Sequence, residues 1–301
     1  MNITAAPPIP ARDSRGAMPV DLLPPVVQTL WGWPAVANFA LGGLGSGLYV
    51  MAAVTAGFGP SPALQAAAWV GPLLVLAGFV AVATEAGRPF RGPRVLAHVR
   101  TSWMSRELWL GGAFTLLAAG GLLREGQGPR VLATVAAVAL ALAQGEILRH
   151  ARGVAVWAVP PVPMVFLTSA LVSGAGLLIV MEAWSGRPLD QLLGAALAVL
   201  IVHVCAWSVL ITWSRDGAFR QGIRPLNEGP SALAIVVGGC ALPALLAALA
   251  IALPRLGPLL AGAAGVLMVA GQVSMKGTLI RKAGQLRPIS LPSERLQRRS
   301  S

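Results

Sequence analysis

The sequence predicts an all-α polytopic membrane protein with eight transmembrane helices arranged as two four-helix bundles. Of the 301 residues, 55% are hydrophobic and only 11% are charged, and the mean hydropathy is +0.71. Soluble domains carry about 25% charged residues, so this composition excludes an ordinary soluble domain. A membrane-spanning helix needs roughly 20 apolar residues, and eight runs of about that length occur along the chain.

The eight apolar runs follow one another with short polar segments between them. The third run is the shortest, and we expect its helix to begin nearer Arg106. Three prolines between Arg149 and Pro163 prevent one continuous helix there, so this segment is predicted to join the two bundles. The runs cover residues 35–57, 63–84, 108–123, 131–149, 162–181, 191–213, 231–253 and 256–275.

The basic residues are unevenly divided between the two sides of this predicted topology. Eight spans place both tails on one side, and the tails and loops of that side hold 19 of the 23 Lys and Arg residues. Basic residues are retained preferentially in the cytoplasm, so we expect both termini to be cytoplasmic and the protein to lie in the cell's inner membrane. The net charge of +12 is therefore a topology signal and does not indicate nucleic-acid binding.

These features divide the chain into four predicted regions. Residues 1–30 form a proline-rich cytoplasmic tail and residues 276–301 a basic cytoplasmic tail that contacts a partner or anionic membrane lipid. The first bundle covers residues 31–150 and the second covers residues 151–275. The sequence contains no Walker loop, CxxC, HExxH or Ser-His-Asp pattern, so the chain is predicted to have no catalytic activity alone.

The stretch GRPFRGPRVLAHVRTSWMSRELW, residues 87–109, is the longest loop on the cytoplasmic side and holds five arginines. Within it, Ser102 is positioned to cap a helix that has Ser105 at its third position. A loop that only sets topology needs positive charge but no such ordered re-entry. The loop is therefore predicted to be a folded platform that presents cations to an acidic or redox partner.

A few polar residues fall inside or beside the apolar runs, and each has two interpretations. Gly43 and Gly47 have the GxxxG spacing of closely packed helices, while Asn38 either bridges helices or binds a ligand carbonyl. His203, near the membrane midplane, either bonds a neighbouring carbonyl or relays protons. Glu146 either pairs with Arg149 and His150 or lies at the edge of a quinone pocket.

Several of these segments resemble the polysulfide reductase NrfD-type membrane subunits. The segment LWGWPAVANFALGGLGSGLYV (30–50) resembles the first helix of that family, and residues 87–114 resemble its loop from helix 2 to helix 3. The core TSWMSRE especially resembles the branch of phenylacetyl-CoA:acceptor oxidoreductase and sulfite- or dimethyl-sulfoxide-reductase-type anchor subunits. Residues 151–178 and 274–284 are similar to the entry of helix 5 and the end of the last helix.

The resemblance implies a quinone-reactive membrane anchor subunit without haem or an iron–sulfur cluster of its own. Its partners would be a four-cluster iron–sulfur subunit and a molybdopterin catalytic subunit, and its substrate in the membrane would be ubiquinone or menaquinone. The only tyrosine is Tyr49, so a tyrosine ligand on helix 4 is absent and Gln144 or Glu146 would replace it.

The resemblance and the residue patterns described above together predict roles for individual residues. The residues expected at the quinone are Asn38, Gly42, Gly43, His98, Gln144 and Glu146. Those expected to dock the partner are Arg88, Arg91, Ser102, Arg106 and Glu107. Those expected in a proton relay are Glu146 and His203.

A secondary transporter or another ion- or proton-translocating membrane protein is the alternative function. Transporters also carry polar residues at the midplane and broken helices. Against this alternative, the predicted spans contain few charged residues and few prolines in their interiors.

Overall fold

A computed structural model of the protein describes residues 20–23, 26–55, 61–85, 95–123, 127–287 and 289–291. The described part is helical except for one small antiparallel sheet of two strands, β1 (Val20–Leu23) and β2 (Ile289–Leu291). The helices are α1 (Trp33–Thr55), α2 (Pro62–Glu85), α3 (Trp103–Leu123), α4 (Gln127–Arg149), α5 (Val162–Glu182), α6 (Asp190–Thr212), α7 (Gly217–Asn227), α8 (Gly229–Ala252) and α9 (Gly257–Arg281).

All eight predicted apolar runs overlap helices, and seven of the described helices are long and apolar enough to cross a membrane. These seven are α1, α2, α4, α5, α6, α8 and α9. Helix α3 has 21 residues but is not among these seven, because the charges of Arg106 and Glu107 near its start lower its mean hydropathy. The prediction of a polytopic helical membrane protein is confirmed at this level.

Helices α1 and α5 form the centre of the molecule. Helix α1 packs against α2, α4, α5 and α9, while α5 packs against α1, α4, α6 and α9. In its most apolar window α1 is 78% buried, whereas α2, α6 and α8 are each 28% buried. The outer helices therefore expose their apolar side chains, as helices that face lipid do.

Small residues allow the two central helices to approach closely. A Cβ atom at Gly47 of α1 would lie 1.7 Å from the backbone oxygen of Ala170 in α5, and one at Gly174 would lie 2.0 Å from the backbone of Gly47. Any larger residue at these positions would push the helix backbones apart. This contact matches the close-packing interpretation of the glycine spacing in α1.

The segments that flank the first and last of these helices pair with each other. Strand β1 is antiparallel to β2, and a further bridge joins Val27 to Gln285. The side chain of Gln28 adds to this contact, because its Nε2 donates to the backbone oxygen of Ile280 at 3.1 Å. The two ends of the described chain therefore lie at the same end of the helix bundle.

The segment between α4 and α5 and the short helix α7 are packed at this same end. Trp157 donates its indole N–H to the backbone oxygen of Leu279 at 2.9 Å. Helix α7 buries Phe219, Ile223 and Leu226, while Arg220 on its other face is exposed. This amphipathic pattern is typical of a helix that lies along a membrane surface.

The last helix is longer than the apolar run that predicts it. The run ends at residue 275, and we placed the start of the basic tail at Lys276, but α9 continues to Arg281. Lys276 is consequently a helical and buried residue. Apolar residues on both sides of it, up to Ile280, keep this part of α9 in the protein interior.

Candidate functional site

Three helices bring one carboxyl and two amide side chains together near the end of the bundle that holds the chain termini. Asn38 comes from the second turn of α1, Glu107 from the second turn of α3, and Gln144 from the penultimate turn of α4. These side chains, here called the Glu107 group, are 3%, 5% and 1% exposed, respectively. These side chains are shielded from bulk water, so their polar atoms rely on hydrogen bonds within the protein.

The carboxylate is the centre of the group. Both Asn38 Nδ2 and Gln144 Nε2 donate hydrogen bonds of 3.0 Å to the same oxygen, Glu107 Oε1. Gln144 Nε2 also donates to the backbone oxygen of Asn38 at 3.4 Å. Because a carboxylate only accepts, these contacts fix which way both amides point.

The fixed amides leave buried acceptors without donors. The oxygens Asn38 Oδ1 and Gln144 Oε1 are buried and make no hydrogen bond to any residue that the structure describes. A buried polar atom without a partner costs on the order of 1–3 kcal/mol, and such atoms are unusual in native proteins. The group therefore holds two unused hydrogen-bond acceptors beside its carboxyl.

Glycines of neighbouring helices make space for the group. A Cβ at Gly42 would lie 2.3 Å from Gln144 Nε2, and a Cβ at Gly78 of α2 would lie 3.1 Å from the backbone oxygen of Asn38. Gly43, the next residue of α1, stands against Lys276, since its Cβ would be 2.3 Å from Lys276 Nζ. The two glycines expected to border a quinone are thus in contact with polar side chains.

Lys276 belongs to a second set of buried polar residues. It is 1% exposed and its ammonium lies 5.7 Å from the ring centre of Phe166. One turn earlier on α9, Gln272 is equally buried, and neither polar atom of its side chain has a hydrogen-bond partner in the described part of the chain. Ionisable groups at such positions are costly and are retained mainly for function.

His203 of α6 is also buried, and its partner is a hydroxyl instead of the expected backbone carbonyl. Its Nδ1 is 2.9 Å from Thr168 Oγ1 of α5, and its ring lies 6.5 Å from that of Trp207. Among the interactions of the described residues, His203 makes no contact with the Glu107 group. The structure therefore leaves the proton-relay interpretation of His203 as a prediction.

Glu146 does not join the Glu107 group, although it is only two residues from Gln144. Side chains two positions apart on a helix point to nearly opposite faces. Its carboxylate lies 3.0 Å from Arg149 Nη1 and 3.3 Å from His150 Nδ1. Trp103 Nε1 donates to His150 Nε2 at 3.3 Å, so the Nδ1 of a neutral His150 carries the proton and faces Glu146. The ion-pair interpretation of Glu146 is the one that this geometry supports.

The described part of the cytoplasmic loop folds back onto the start of α3. Ser102 Oγ accepts the backbone N–H of Ser105 at 3.4 Å, so the predicted helix cap is confirmed. Arg106 donates to the backbone oxygens of Val99 and Arg100, both at 2.9 Å, and its guanidinium lies 4.2 Å from the ring centre of Trp103. Arg106 thus holds the loop in place.

The remaining predicted residues of the loop differ in their positions. His98 is exposed, and its backbone oxygen accepts from Ser102 N at 2.9 Å. Glu107 was expected on a docking rim, but its burial places it inside the bundle. Arg88 and Arg91 lie outside the described residues.

The helical pattern of the sequence predicts the buried position of Glu107, whereas the interpretation of its segment as a docking loop does not. Glu107 lies on the same helical face as Gly111, Phe114 and Ala118, the buried positions of α3. The predicted basic tail begins at Lys276 because this is the first cation after the last apolar run. The apolar residues that follow it, up to Ile280, place Lys276 in the last helix instead. Within the described residues, no group of three or more His, Cys, Asp or Glu side chains could hold a metal ion.

The sequence matches no protein-family model and no curated protein. The resemblance to the NrfD-type subunits is therefore carried only by the motifs quoted above.

Proposed function

We propose that this protein is the quinone-interacting membrane subunit of a molybdopterin and iron–sulfur oxidoreductase complex. In this role it passes electrons between an iron–sulfur partner and the quinone pool, and it has no substrate chemistry of its own. The observation that carries the proposal is the buried Glu107 group at the end of the bundle beneath the loop that resembles the family's docking segment. A buried carboxyl with two oriented amides is suited to proton exchange at a redox-active ring.

The residues of the Glu107 group have the chemistry that a quinone or quinol headgroup requires. When bound, a quinone carries two electrons and two protons. The side-chain oxygens of Asn38 and Gln144, which have no partner in the described chain, accept hydrogen bonds from the ring hydroxyls of a quinol. Glu107 exchanges a proton with these hydroxyls. Gly42 and Gly43 keep Gln144 and Lys276 in position and serve as supports of the site.

The arrangement of the chain ends supports eight spans, with α3 as the eighth. Seven spans alone would put the two ends on opposite sides of the membrane. The pairing of β1 with β2 and of Val27 with Gln285 places the two ends together, which is the arrangement expected for an even number of crossings. Together with the excess of basic residues on that side, this favours cytoplasmic termini in the inner membrane.

The test is a binding titration of the purified full-length chain in lipid nanodiscs with a fluorescent hydroxyquinoline-type quinone analogue. We expect the wild type to bind and Glu107→Gln to weaken binding about tenfold, because a charge-assisted hydrogen bond contributes about 1.5–3 kcal/mol. The glutamine oxygen can still accept from both amides, which preserves the fold. The control is Glu146→Gln, which changes an acid of the neighbouring surface pair and should bind like the wild type.

Two outcomes would contradict the proposal. One is the absence of saturable binding to the wild type, and the other is equal binding by wild type and Glu107→Gln. Purification from native membranes tests the partners separately, since we expect a complex that contains both iron and molybdenum. Recovery of the chain without either metal in gently solubilised membranes would argue against the redox complex.

A proton- or ion-translocating protein is the second candidate, and the buried Lys276 favours it. Lys276 and Gln272 on α9 lie in the interior together with His203 on α6. Helix α8 contains a π-helical segment, Ala234–Ala241, and such segments occur frequently at functional sites. Quinone-independent proton uptake by proteoliposomes that is abolished by Lys276→Met would favour this candidate.

A further inference from the structure

A cavity of about 490 Å³ lies between α1, α2, α3 and α4 at the end of the bundle opposite to the Glu107 group. Its size falls within the roughly 300–1,000 Å³ of small-molecule sites. One part of its lining is polar, with Tyr49, Gln65, Gln127 and Arg130, and the remainder is mostly Ala, Leu and Val. The cavity thus combines a polar end with an apolar wall.

Tyr49 contributes a phenol to the lining of the cavity. Its side chain is 5% exposed, and its ring packs edge-on against Phe114 with centres 5.1 Å apart. The ring contact fixes the phenol in the wall of the cavity. A tyrosine hydroxyl both donates and accepts hydrogen bonds, so it can bond to a molecule in the cavity.

Arg130 gives the cavity a positive charge. Its stem crosses α3 at Gly121, where a Cβ would lie 3.0 Å from Arg130 Cγ, and the residue is exposed. The described residues include no carboxylate paired with it. Only four of the 23 basic residues fall at this end in the predicted topology, so retention of cations on the cytoplasmic side does not account for Arg130.

The cavity is continuous with the surface that faces lipid. Val131, one of the lining residues, is 58% exposed on the outside of α4. A ligand held by its headgroup at Arg130 and Tyr49 can therefore leave its hydrocarbon chain along α4 in the bilayer. A soluble anion would use the polar end but would leave the apolar wall without a partner.

We propose that this cavity binds the anionic headgroup of a membrane phospholipid. Arg130 binds the phosphate, the hydroxyl of Tyr49 donates a hydrogen bond to it, and the apolar wall contacts the start of an acyl chain. Arginine is suited to phosphate because its planar N–H groups form paired hydrogen bonds with the oxygens. A lipid bound here joins the ends of four helices and is a structural ligand of the first half of the chain.

The test reconstitutes the full-length chain in nanodiscs of phosphatidylethanolamine with a minor share of phosphatidylglycerol. Native mass spectrometry then counts the lipids that the released protein retains. We expect one retained phosphatidylglycerol, reduced about tenfold in Arg130→Gln and about threefold in Tyr49→Phe, since charged hydrogen bonds are roughly twice as strong as neutral ones. Arg255→Gln, a change in an exposed arginine at the same end, is the matched control and should retain the lipid like the wild type.

Ala53→Phe provides a second variant that keeps both polar groups and fills the cavity, of which Ala53 is a lining residue. It should exclude the lipid even if Arg130→Gln fails to fold. Addition of glycerol phosphate separates a lipid site from a site for soluble anions, and we expect it not to displace the lipid. Equal retention of the two lipid types, equal loss in Arg130→Gln and Arg255→Gln, or full displacement by glycerol phosphate would overturn the proposal.

Discussion

The amide of Gln144 lies directly against the backbone of α1 at Gly42, where a Cβ atom would come 2.3 Å from Gln144 Nε2. One residue later, Gly43 has the same relation to Lys276 Nζ. The glycine-rich face of α1 therefore serves two purposes. At Gly47 it admits the backbone of α5, and at Gly42 and Gly43 it admits polar side chains from α4 and α9.

Gly42→Ala should displace Gln144 and weaken its hydrogen bond to Glu107. The obstructing atom is the end of a flexible side chain, so we expect a loss of about 1–3 kcal/mol in the free energy of unfolding. The loss should largely disappear in a Gln144→Ala background, as a double-mutant cycle would measure. Gly112→Ala, where a Cβ meets nothing within 4 Å, is the control. Equal effects of Gly42→Ala in both backgrounds would contradict the contact.

Gly47→Ala should be far more damaging than Gly42→Ala. A Cβ at this position would lie 1.7 Å from a backbone oxygen of α5, and a backbone cannot move away by a rotamer change. We expect a loss of about 3 kcal/mol or more in the free energy of unfolding, because α1 and α5 must separate. Gly194→Ala, with no atom within 4 Å of its Cβ, should remain within about 0.5 kcal/mol of the wild type. A melting temperature of Gly47→Ala equal to that of Gly194→Ala would show that the close approach is absent.

Much of the fold could be predicted because the apolar runs of a membrane protein report helix positions directly. The run predicted at residues 162–181 matches α5, Val162–Glu182, almost residue for residue. The same rule failed at α9, where Lys276 interrupts the hydropathy pattern although the helix continues to Arg281. A single buried cation removes the hydropathy signal but not the backbone hydrogen bonds of the helix.

The candidate site was predictable only in part, because hydropathy does not show which polar residues meet in space. Asn38 and Gln144 were expected near each other on the strength of the family resemblance, and the structure brings them to a common partner. That partner, Glu107, was expected on a docking surface because the resemblance assigns its segment to the rim that docks the partner. The side chain of Glu107 points inward because it lies on the same helical face as Phe114. An interpretation of this segment as a loop does not take the helical face into account.

Glu146→Gln should have little effect on stability. The carboxylate lies within 3.0 Å of Arg149, but the Arg149 side chain is 41% exposed and solvent screens the pair. Pairs of this kind on a helix surface contribute about 0.2–0.5 kcal/mol, so we expect a change within that range. Chemical denaturation in mild detergent measures it, with high salt as the control, which should reduce the difference further. A loss above about 2 kcal/mol would instead indicate a buried network around Glu146.

Lys276→Met should leave the fold intact and should not lower its stability. Methionine has a similar unbranched shape and keeps the contact with Gly43, while it removes the cost of holding an amine in the interior. We expect a melting temperature equal to or above that of the wild type. Lys276→Ala is the comparison, since it leaves a cavity and should cost about 2–5 kcal/mol. Destabilisation of Lys276→Met to the level of Lys276→Ala would mean that the amine itself makes stabilising contacts.

Both chain ends should lie on the cytoplasmic side of the membrane. The pairing of β1 with β2 requires the ends to share a side, and 19 of the 23 basic residues fall on that side of an eight-span topology. Because basic segments are retained in the cytoplasm, alkaline phosphatase fused after Ser301 should be inactive and a fluorescent protein fused there should be bright. Phosphatase fused after Ser185, between α5 and α6, is the matched control and should be active. Active phosphatase at both positions would require an even number of spans between them and would exclude the orientation, whereas activity after Ser301 alone would invert it.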